Sequence, residues 1–389
     1  MSATLLDVEA IRRRYTSLQS GFALFDAPGG TQVPDEVGAA IARTLREASA
    51  NLGAPYETGQ RVEAVLAEAK QKGAGFLGCT PAEVVFGMNM TTVNFALSRT
   101  AGRDWREGDE VIVTRLDHDG CAAPWVELAA DKGLKVHLVD VNEDLSLDFD
   151  DLERKLSDRT RVVACSIACN AVGTLVDAER LCTLAREAGA LSWLDAVHYA
   201  AHETVDVARL GCDVLICSPY KFCGPHLGLG FVRAELAETW RPYKARPSPT
   251  EPLARRFETG TLPYELLGGF NATLDYLEDI GGMEAIREYE RGLGRRFIDA
   301  LPDSVTVYGL PTMEGRVPTF LVNVEGVSAY DVAAALAGKR MGVWAHDGWY
   351  CVGLAERLPA EGSVRIGFIH YNTADEVDRL AAELGALSS

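Results

Sequence analysis

Short β-branched runs alternate with amphipathic helical patterns between residues 83 and 233. The runs have the length of buried strands, and the stretches between them, such as PWVELAADKG and DAERLCTLAREAG, repeat apolar residues at helical spacing. Strands joined by helices form βαβ units, which build a mainly parallel sheet between helices. The chain is therefore predicted to have an α/β fold, with strands at EVVFG, EVIVTRL, RVVACSI, ALSWLDAV, DVLICSP and LGFVR.

The chain changes character after this region. Residues 241–264 are rich in Pro and charge, so we predict a long loop with a functional role. Two helical patterns follow, ELLGGFNATLDYLEDI and AIREYERGLGRRFIDAL, and then the strands TFLVNVE and VRIGFIHY and a last helix, TADEVDRLAAELGAL. We predict a large domain over residues 26–265 and a smaller α+β domain formed by residues 1–25 and 266–389.

Composition narrows the function classes. A net charge of −18 in 389 residues argues against nucleic acid or an anionic membrane as partner, because phosphates need clustered Lys and Arg. No apolar run is long enough to span a bilayer, and the first residues lack the apolar core of a signal peptide. Nine cysteines without C-x-x-C spacing are typical of free thiols in a reducing compartment. We therefore expect a cytoplasmic protein that acts on a small molecule.

Lys221 follows a predicted buried strand in DVLICSPYKFCGPHLGLGF. Ligands of open α/β sheets bind at the carboxyl ends of the strands. A lysine there, flanked by Phe222, Cys223 and Pro225, is partly removed from water, and this lowers the pKa of its amine toward the range where it attacks carbonyl groups. A surface turn remains the alternative for an isolated lysine.

An acid ends another strand in SWLDAVHYAAH. Asp195 in that position is able to keep a pyridine nitrogen protonated, which makes the ring the electron sink of pyridoxal phosphate (PLP) chemistry. His198 then lies one turn further on, where it is able to bond the 3-oxygen of the ring. The alternatives are a buried Asp–His pair and a metal site formed by Asp195, His198 and His202, as in a metal-dependent hydrolase, although the Glu of H-E-x-x-H is missing.

A phosphate site is also needed, and FGMNMTTVNFALSR predicts a strand, a turn and a helix that begins near Thr91 and Thr92. Helix N-termini bind phosphate through free N–H groups and the helix dipole, although the two threonines could simply cap the helix. Ser218 and Tyr220 are candidate hydroxyl donors, and His118, at the end of EVIVTRLDHDG, is placed to stack on the ring. The glycines after Lys221 precede a strand, so they do not match a dinucleotide fingerprint.

In this order, these residues resemble the fold-type I PLP enzymes of the class V aminotransferase group, and most of all the cysteine desulfurase-like proteins. The resemblance covers nearly the whole chain and includes the motifs FDAPGGTQVP, LDHDGCAAPW, CNAVGT, FETGTLP and VRIGFIHYNTADEVDRL. It implies a seven-stranded sheet in the large domain, PLP as the cofactor, an amino acid as the substrate and a homodimer.

The resemblance also implies residue roles. Lys221 would carry PLP as a Schiff base, Asp195 would hold the pyridine nitrogen, and His118 would stack on the ring. His198 would contact the ring oxygen, while Asn170 would lie near that oxygen or the substrate. Arg365 would grip the substrate carboxylate, because a guanidinium binds a carboxylate in bidentate fashion. Thr261 would cross to the phosphate of the partner subunit.

The reaction depends on Cys351, which lies in WAHDGWYCVGL. Desulfurases of this group carry a nucleophilic cysteine shortly before the carboxylate-binding arginine, but Gly348, Trp349 and Tyr350 depart from the family pattern around it. Cysteine desulfuration or C–S lyase cleavage is expected, in which the amino acid replaces Lys221 on the cofactor and Lys221 or His118 removes its α-proton. Transamination, epimerisation and a non-catalytic PLP-fold protein remain alternatives. Trp344, Trp349 and Tyr350 predict an aromatic-walled pocket larger than cysteine requires, with packing inside the small domain as the alternative.

Overall fold

The computed structural model describes residues 6–245, 250–251 and 253–388. Its strands are β1 Ala23–Leu24, β2 Val84–Gly87, β3 Glu110–Thr114, β4 Lys135–Val139, β5 Thr160–Ser166, β6 Leu191–Asp195, β7 Val214–Cys217, β8 Gly228–Val232, β9 Val305–Tyr308, β10 Thr319–Val324, β11 Met341–Gly342, β12 Trp344–His346 and β13 Ser363–Gly367. Within the described ranges, no helix combines the length and apolar character that a membrane span requires.

The helices are α1 Val8–Arg12, α2 Asp35–Glu47, α3 Glu57–Leu77, α4 Met90–Ala101, α5 Asp119–Lys132, α6 Phe149–Lys155, α7 Ala178–Glu187, α8 Val207–Leu210, α9 Ala234–Thr239, α10 Tyr264–Asp279, α11 Gly282–Ala300, α12 Ala329–Gly338, α13 Val352–Ala355 and α14 Ala374–Leu387. Local caps explain several boundaries. Asp177 accepts a hydrogen bond from the N–H of Arg180 and starts α7, and Thr373 forms a capping box with Glu376 at the start of α14.

Seven strands form the main sheet, in the order β2-β8-β7-β6-β5-β3-β4. Strands β7, β6, β5, β3 and β4 are parallel, whereas β8 runs antiparallel to both of its neighbours. The prediction of a mainly parallel α/β sheet is confirmed. The six runs predicted above omit β4, an edge strand whose first four residues are half-buried or exposed, because such a strand has no continuous buried apolar run.

A second sheet of four strands, in the order β12-β13-β10-β9, lies in the C-terminal part of the chain, and β1 pairs with β11. Buried side chains of β10 and β13, such as Phe320 and Ile366, form a separate core with Phe297 of α11. The domain boundary at residue 265 stays a prediction. Of the predicted loop at residues 241–264, residues 246–249 and 252 lie outside the described residues, and a short 3-10 turn covers Leu253–Arg255.

Candidate active site

The carboxyl ends of β5, β6 and β7 meet at one edge of the main sheet because the three strands are parallel. Ser166 ends β5, Asp195 ends β6, and the turn that carries Lys221 follows β7. The helix α4 points its first residues at the same place. Together they enclose a cavity lined by Asn89, Met90, Thr91, His118, Ser166, Ala168, Asn170, Asp195, Val197, His198, Ser218, Tyr220 and Lys221.

Lys221 is buried, and its Nζ donates a hydrogen bond to the backbone carbonyl of Pro28. Burial and the positive charge of Arg365 lower the pKa of Lys221 to about 7, against the opposite influence of Asp26 and Asp195. A large part of the amine is therefore uncharged at neutral pH, and an uncharged amine is the form that attacks a carbonyl carbon.

Asp195 is also buried, and burial raises the pKa of its carboxyl group to about 6. The backbone N–H of Val197 donates to Oδ1 at 2.8 Å, and the hydroxyl group of Ser166 donates to Oδ2 at 3.1 Å. Both bonds favour the carboxylate and oppose the effect of burial. Asp195 is thus a carboxylate fixed in orientation at the floor of the cavity.

Ser166 is part of the site although its sequence context gave no sign of it. Its hydroxyl group bonds Asp195, and its backbone N–H donates to Oδ1 of Asp117 at 2.7 Å. Burial raises the pKa of Asp117 to about 7. Ser166 therefore bonds two buried carboxyl groups, those of Asp195 and Asp117. It reaches Asp195 because it ends β5, which is the neighbour of β6 in the sheet.

His198 turns its ring into the cavity. Its Nε2 lies 2.9 Å from the hydroxyl oxygen of Thr319, and its Nδ1 is buried without a hydrogen-bond partner. Burial, with the charges of Lys221 and Arg365 and the neighbouring His202, lowers the pKa of His198 well below its usual value, so the ring is neutral. A buried nitrogen without a partner is costly, and a ligand oxygen in the cavity would satisfy it.

The N-terminus of α4 is capped by Asn89, whose side chain accepts the N–H of Thr92 at 2.8 Å. The Met90 N–H donates to the hydroxyl group of Ser218 at 3.1 Å, so Ser218 and Thr91 both face the cavity at this helix end. Thr92 is exposed and belongs to the cap. Position 228 requires a glycine, because a Cβ there would lie 2.6 Å from the backbone of Asn89.

His118 caps helix α5 and lines the cavity. Its Nδ1 accepts the N–H of Gly120 at 2.9 Å, and its ring stacks on Tyr350 with centroids 5.7 Å apart. Burial and the charges of Lys221 and Arg365 lower the pKa of His118 to about 4. The imidazole is therefore uncharged at neutral pH, and because its Nδ1 accepts the Gly120 N–H, the ring hydrogen lies on Nε2.

Arg365 is buried on β13 and lies outside the group of residues that line the cavity. It forms an ion pair with Asp26 at 3.0 Å, and its guanidinium packs on the rings of Trp349 at 4.5 Å and Trp344 at 5.4 Å. These two aromatic side chains therefore cover the arginine, and the aromatic wall of the substrate pocket stays a prediction. Nε of Arg365 is buried and has no partner among the described residues.

Cys351 is fully buried, and its thiol donates a hydrogen bond to Oδ1 of Asn170 at 2.9 Å. The interaction with Cys169, together with burial, raises the pKa of Cys351 well above its usual value. Asn170 also donates from Nδ2 to the carbonyl of Trp349 at 3.0 Å. Asn170 thus faces the cavity and holds the segment that carries Cys351, but Cys351 itself does not line the cavity.

Thr261 is exposed and lines a surface groove together with Thr92 and Met88. It is not among the residues around Lys221. The structure thus brings together most of the predicted residues, namely Lys221, Asp195, His198, His118, Asn170, Thr91, Ser218 and Tyr220, while Arg365, Cys351, Thr92 and Thr261 lie outside the cavity wall. Asn89, Ser166 and Thr319 are additional residues that the sequence did not reveal.

His198 and His202, which a metal site would use together, contact each other edge to face with centroids 4.9 Å apart. Nδ1 of His202 bonds Glu290 at 2.6 Å. Across the part of the chain that the structure describes, no three His, Cys, Asp or Glu side chains converge as ligands of a metal ion.

Residues 23–380 match the family model "Aminotransferase class-V". An aminotransferase-like protein of Gibberella zeae is 31% identical and covers 99% of both chains, and a probable cysteine desulfurase of Mycobacterium leprae is 31% identical over 98% of this chain and 97% of its own. Among solved structures, the apo cysteine desulfurase of Thermococcus onnurineus NA1 has a TM-score of 0.91 at 26% identity, covering 100% of this chain and 98% of its own.

Proposed function

Because the chain belongs to the class V aminotransferase family of PLP-dependent enzymes, we propose that it cleaves the C–S bond of a sulfur-bearing amino acid, with PLP attached covalently to Nζ of Lys221. The observation that carries the proposal is the single cavity in which Lys221, Asp195 and His198 face one another. A buried lysine with a lowered pKa, a buried carboxylate and an unpartnered imidazole nitrogen are the groups that this cofactor needs.

The residues of the cavity fit the three polar parts of PLP. The carboxylate of Asp195 would hold the pyridine nitrogen, and the buried Nδ1 of His198 would bond the 3-oxygen. The first turn of α4, with Thr91 and the Ser218 hydroxyl group, would hold the phosphate. Tyr220 would add a further hydroxyl group. When bound, PLP withdraws electrons from the bonds to the α-carbon of the substrate.

Two residues of the chain are able to move the α-proton. Nζ of Lys221 is partly uncharged at neutral pH, and it is the group nearest to the place where the substrate amine would attach. The neutral imidazole of His118 faces the same cavity. Lys221 would take the proton from the α-carbon and return it at a later step. His118 would do so only after its Nδ1 released the Gly120 N–H.

Arg365 and Asn170 would bind the substrate carboxylate. The guanidinium of Arg365 pairs with Asp26 at 3.0 Å in the structure. It would release the Asp26 carboxylate and bind the carboxylate of the substrate instead. For the exchange, Trp349 and Trp344 must uncover the guanidinium. The substrate would then bind on the side of the cavity nearest to Arg365 and the segment of residues 347–351.

Cysteine desulfuration would use Cys351 as the sulfur acceptor. Its thiolate would attack the sulfur of cysteine, the C–S bond would break, and the products would be alanine and a persulfide on Cys351. In the structure this thiol is buried and bonded to Asn170, so the reaction requires the segment to move. The same burial favours a second candidate, elimination without an enzyme persulfide, which would give pyruvate, ammonia and sulfide from cysteine.

We propose in addition that the protein is a homodimer and is cytoplasmic. Thr261 is exposed and does not line the cavity of its own chain, which suits the phosphate site of a partner subunit in a homodimer. The described cysteines are all free thiols, which suits a cytoplasmic protein.

Products and spectra test the proposal. With L-cysteine and a thiol reductant, desulfuration gives alanine and elimination gives pyruvate and ammonia, while both reactions release sulfide. A Cys351→Ser variant is expected to lose alanine formation, whereas pyruvate and ammonia persist if elimination operates. With PLP, the protein is expected to show a visible band near about 420 nm that disappears in Lys221→Ala and persists in the exposed control Lys135→Ala. The absence of the band from the wild-type protein would refute the attachment to Lys221, and failure to turn over any sulfur-bearing amino acid would refute the reaction.

A further inference from the structure

The His198 ring is held from behind by residues of the C-terminal part of the chain. Thr319 lies at the start of β10 and is fully buried, and its hydroxyl oxygen is 2.9 Å from Nε2 of His198. If Nε2 accepts the hydroxyl proton, the hydrogen of the neutral ring is on Nδ1, the buried nitrogen that has no partner among the described residues. One hydroxyl group thereby controls which ring nitrogen is a donor.

His202 is a second neighbour that supports the His198 ring. His202 packs edge to face against His198, with planes at 83° and centroids 4.9 Å apart. Its Nδ1 is fixed by Oε2 of Glu290 at 2.6 Å, and Glu290 is fully buried on α11. The position of the His202 ring, and through it that of His198, therefore depends on one carboxylate.

Glu290 is anchored in turn. Its Oε1 accepts the backbone N–H of His370 at 2.9 Å and lies 3.4 Å from Nδ1 of the same residue. Burial would raise the pKa of Glu290, but His202 and His370 lower it below its usual value. On the far side of His370, Tyr276 contacts Nε2 at 2.8 Å and Cys223 lies at 3.9 Å. Glu290 is thus a fully buried, ionised carboxylate between two histidines.

We propose that Thr319 and Glu290 are positioning residues that hold the His198 ring with Nδ1 directed into the cavity, where it donates to the 3-oxygen of PLP. The inference rests on the proposed function, because it requires PLP in the cavity. Neither residue lines the cavity, so each acts through His198. Glu290 is 88 positions from His202 in the sequence, and Thr319 is 121 positions from His198. Residues that are distant in sequence would then control the electronic state of the cofactor.

A Thr319→Val variant tests the role of the hydroxyl group, because valine has nearly the same shape. Two properties that do not depend on turnover are measured in the holoenzyme: the Kd for PLP, and the pH midpoint of the change in its visible absorbance. We expect Thr319→Val to raise the Kd about tenfold, as the loss of one buried hydrogen bond would, and to shift the midpoint. Thr319→Ser, which keeps the hydroxyl group, is expected to resemble the wild type.

The matched control is Thr100→Val, which removes a buried hydroxyl group that bonds Ala96 at the far end of α4. A Kd and midpoint for Thr319→Val equal to the wild-type values would overturn the inference, as would an equal shift in Thr100→Val. If Thr319→Val does not fold, Glu290→Gln provides the second test, with Glu110→Gln, another buried carboxylate beside a histidine, as its control. Unchanged PLP properties in Glu290→Gln then reject the inference. If the wild-type protein itself lacks a Lys221-dependent band, the proposed function has failed instead.

Discussion

The Cys351 thiol donates a hydrogen bond to Oδ1 of Asn170 at 2.9 Å, across 181 positions of sequence. The same amide binds the carbonyl of Trp349 through Nδ2. Trp349 and Tyr350, just before the cysteine, both have the positive φ angles that only a few non-glycine residues adopt, 53° and 56°. Asn170 thus holds a strained segment closed over Arg365. The accessibility of the Cys351 thiol, on which desulfuration depends, is therefore controlled by this one side chain.

Removal of the Asn170 amide is expected to expose Cys351. In Asn170→Ala the segment loses two hydrogen bonds, and backbone strain of about 1–3 kcal/mol per residue would then favour its opening. We expect alkylation of Cys351 to become about tenfold faster, measured by mass spectrometry of the labelled peptide. Cys217, buried in β7, is the internal control, because its rate should not change. Equal rates for Cys351 in both proteins would show that Asn170 does not hold the segment.

The pH dependence of cofactor attachment follows from Lys221. Burial lowers its pKa to about 7, so the uncharged amine increases as the pH rises through 7 and is nearly complete above about 8. We expect the rate of PLP capture by the apoprotein to rise with pH and to become constant there, as measured by stopped-flow absorbance. A lysine in water would continue to gain reactivity up to about pH 10.4. A rate that keeps rising beyond pH 9 would contradict a desolvated Lys221.

Asp195→Asn is expected to keep the cofactor and lose turnover. Lys221 remains able to bind PLP, but a neutral amide does not stabilise a positive charge on the pyridine nitrogen. We expect kcat to fall by a factor of about 10² or more while the visible band of bound PLP persists. Asp213→Asn is a useful control, because Asp213 pairs with Arg233 and lies outside the cavity. Turnover close to the wild-type value in Asp195→Asn would refute the role of Asp195.

Mixed dimers test whether Thr261 serves the partner subunit. Lys221→Ala and Thr261→Ala chains should each have low activity as homodimers. If Thr261 completes the site of the other chain, a mixed dimer regains one intact site, and an equal mixture recovers up to about a quarter of the wild-type activity. Activity that stays at the level of the separate variants would place Thr261 in its own site or in none.

The buried Glu290 is expected to matter for stability as well. In Glu290→Gln, His370 loses the carboxylate that faces it, and loss of one partner of a buried ion pair costs about 3–5 kcal/mol. Urea unfolding measures this difference. The control is Asp131→Asn, which breaks an ion pair with Arg99 in which both side chains are about half exposed, and it should cost less than about 1 kcal/mol. Similar losses in the two variants would show that burial of the pair is not decisive.

Patterns that are local in the chain were sufficient for the fold and for half of the site. The alternation of strand and helix patterns predicted the parallel sheet, and Lys221 and Asp195 were identifiable because each follows or ends a buried apolar strand. Their meeting in one cavity then follows from the geometry of parallel strands. Local caps such as Asp177 and Thr373 were equally readable, because cap and helix are adjacent in sequence.

The tertiary structure decided the contacts between distant segments. Nothing near Thr319 in the sequence indicates that its hydroxyl group contacts His198. The spacing of Cys351 and Arg365 likewise does not reveal their partners. The thiol bonds Asn170, and the guanidinium pairs with Asp26. Such partners depend on how β10 and β13 pack against the large sheet. The sequence by itself therefore determined the cofactor chemistry, which needs particular side chains at strand ends. Only the folded chain decided which groups are buried, paired or neutral, because burial and pairing are properties of the packing.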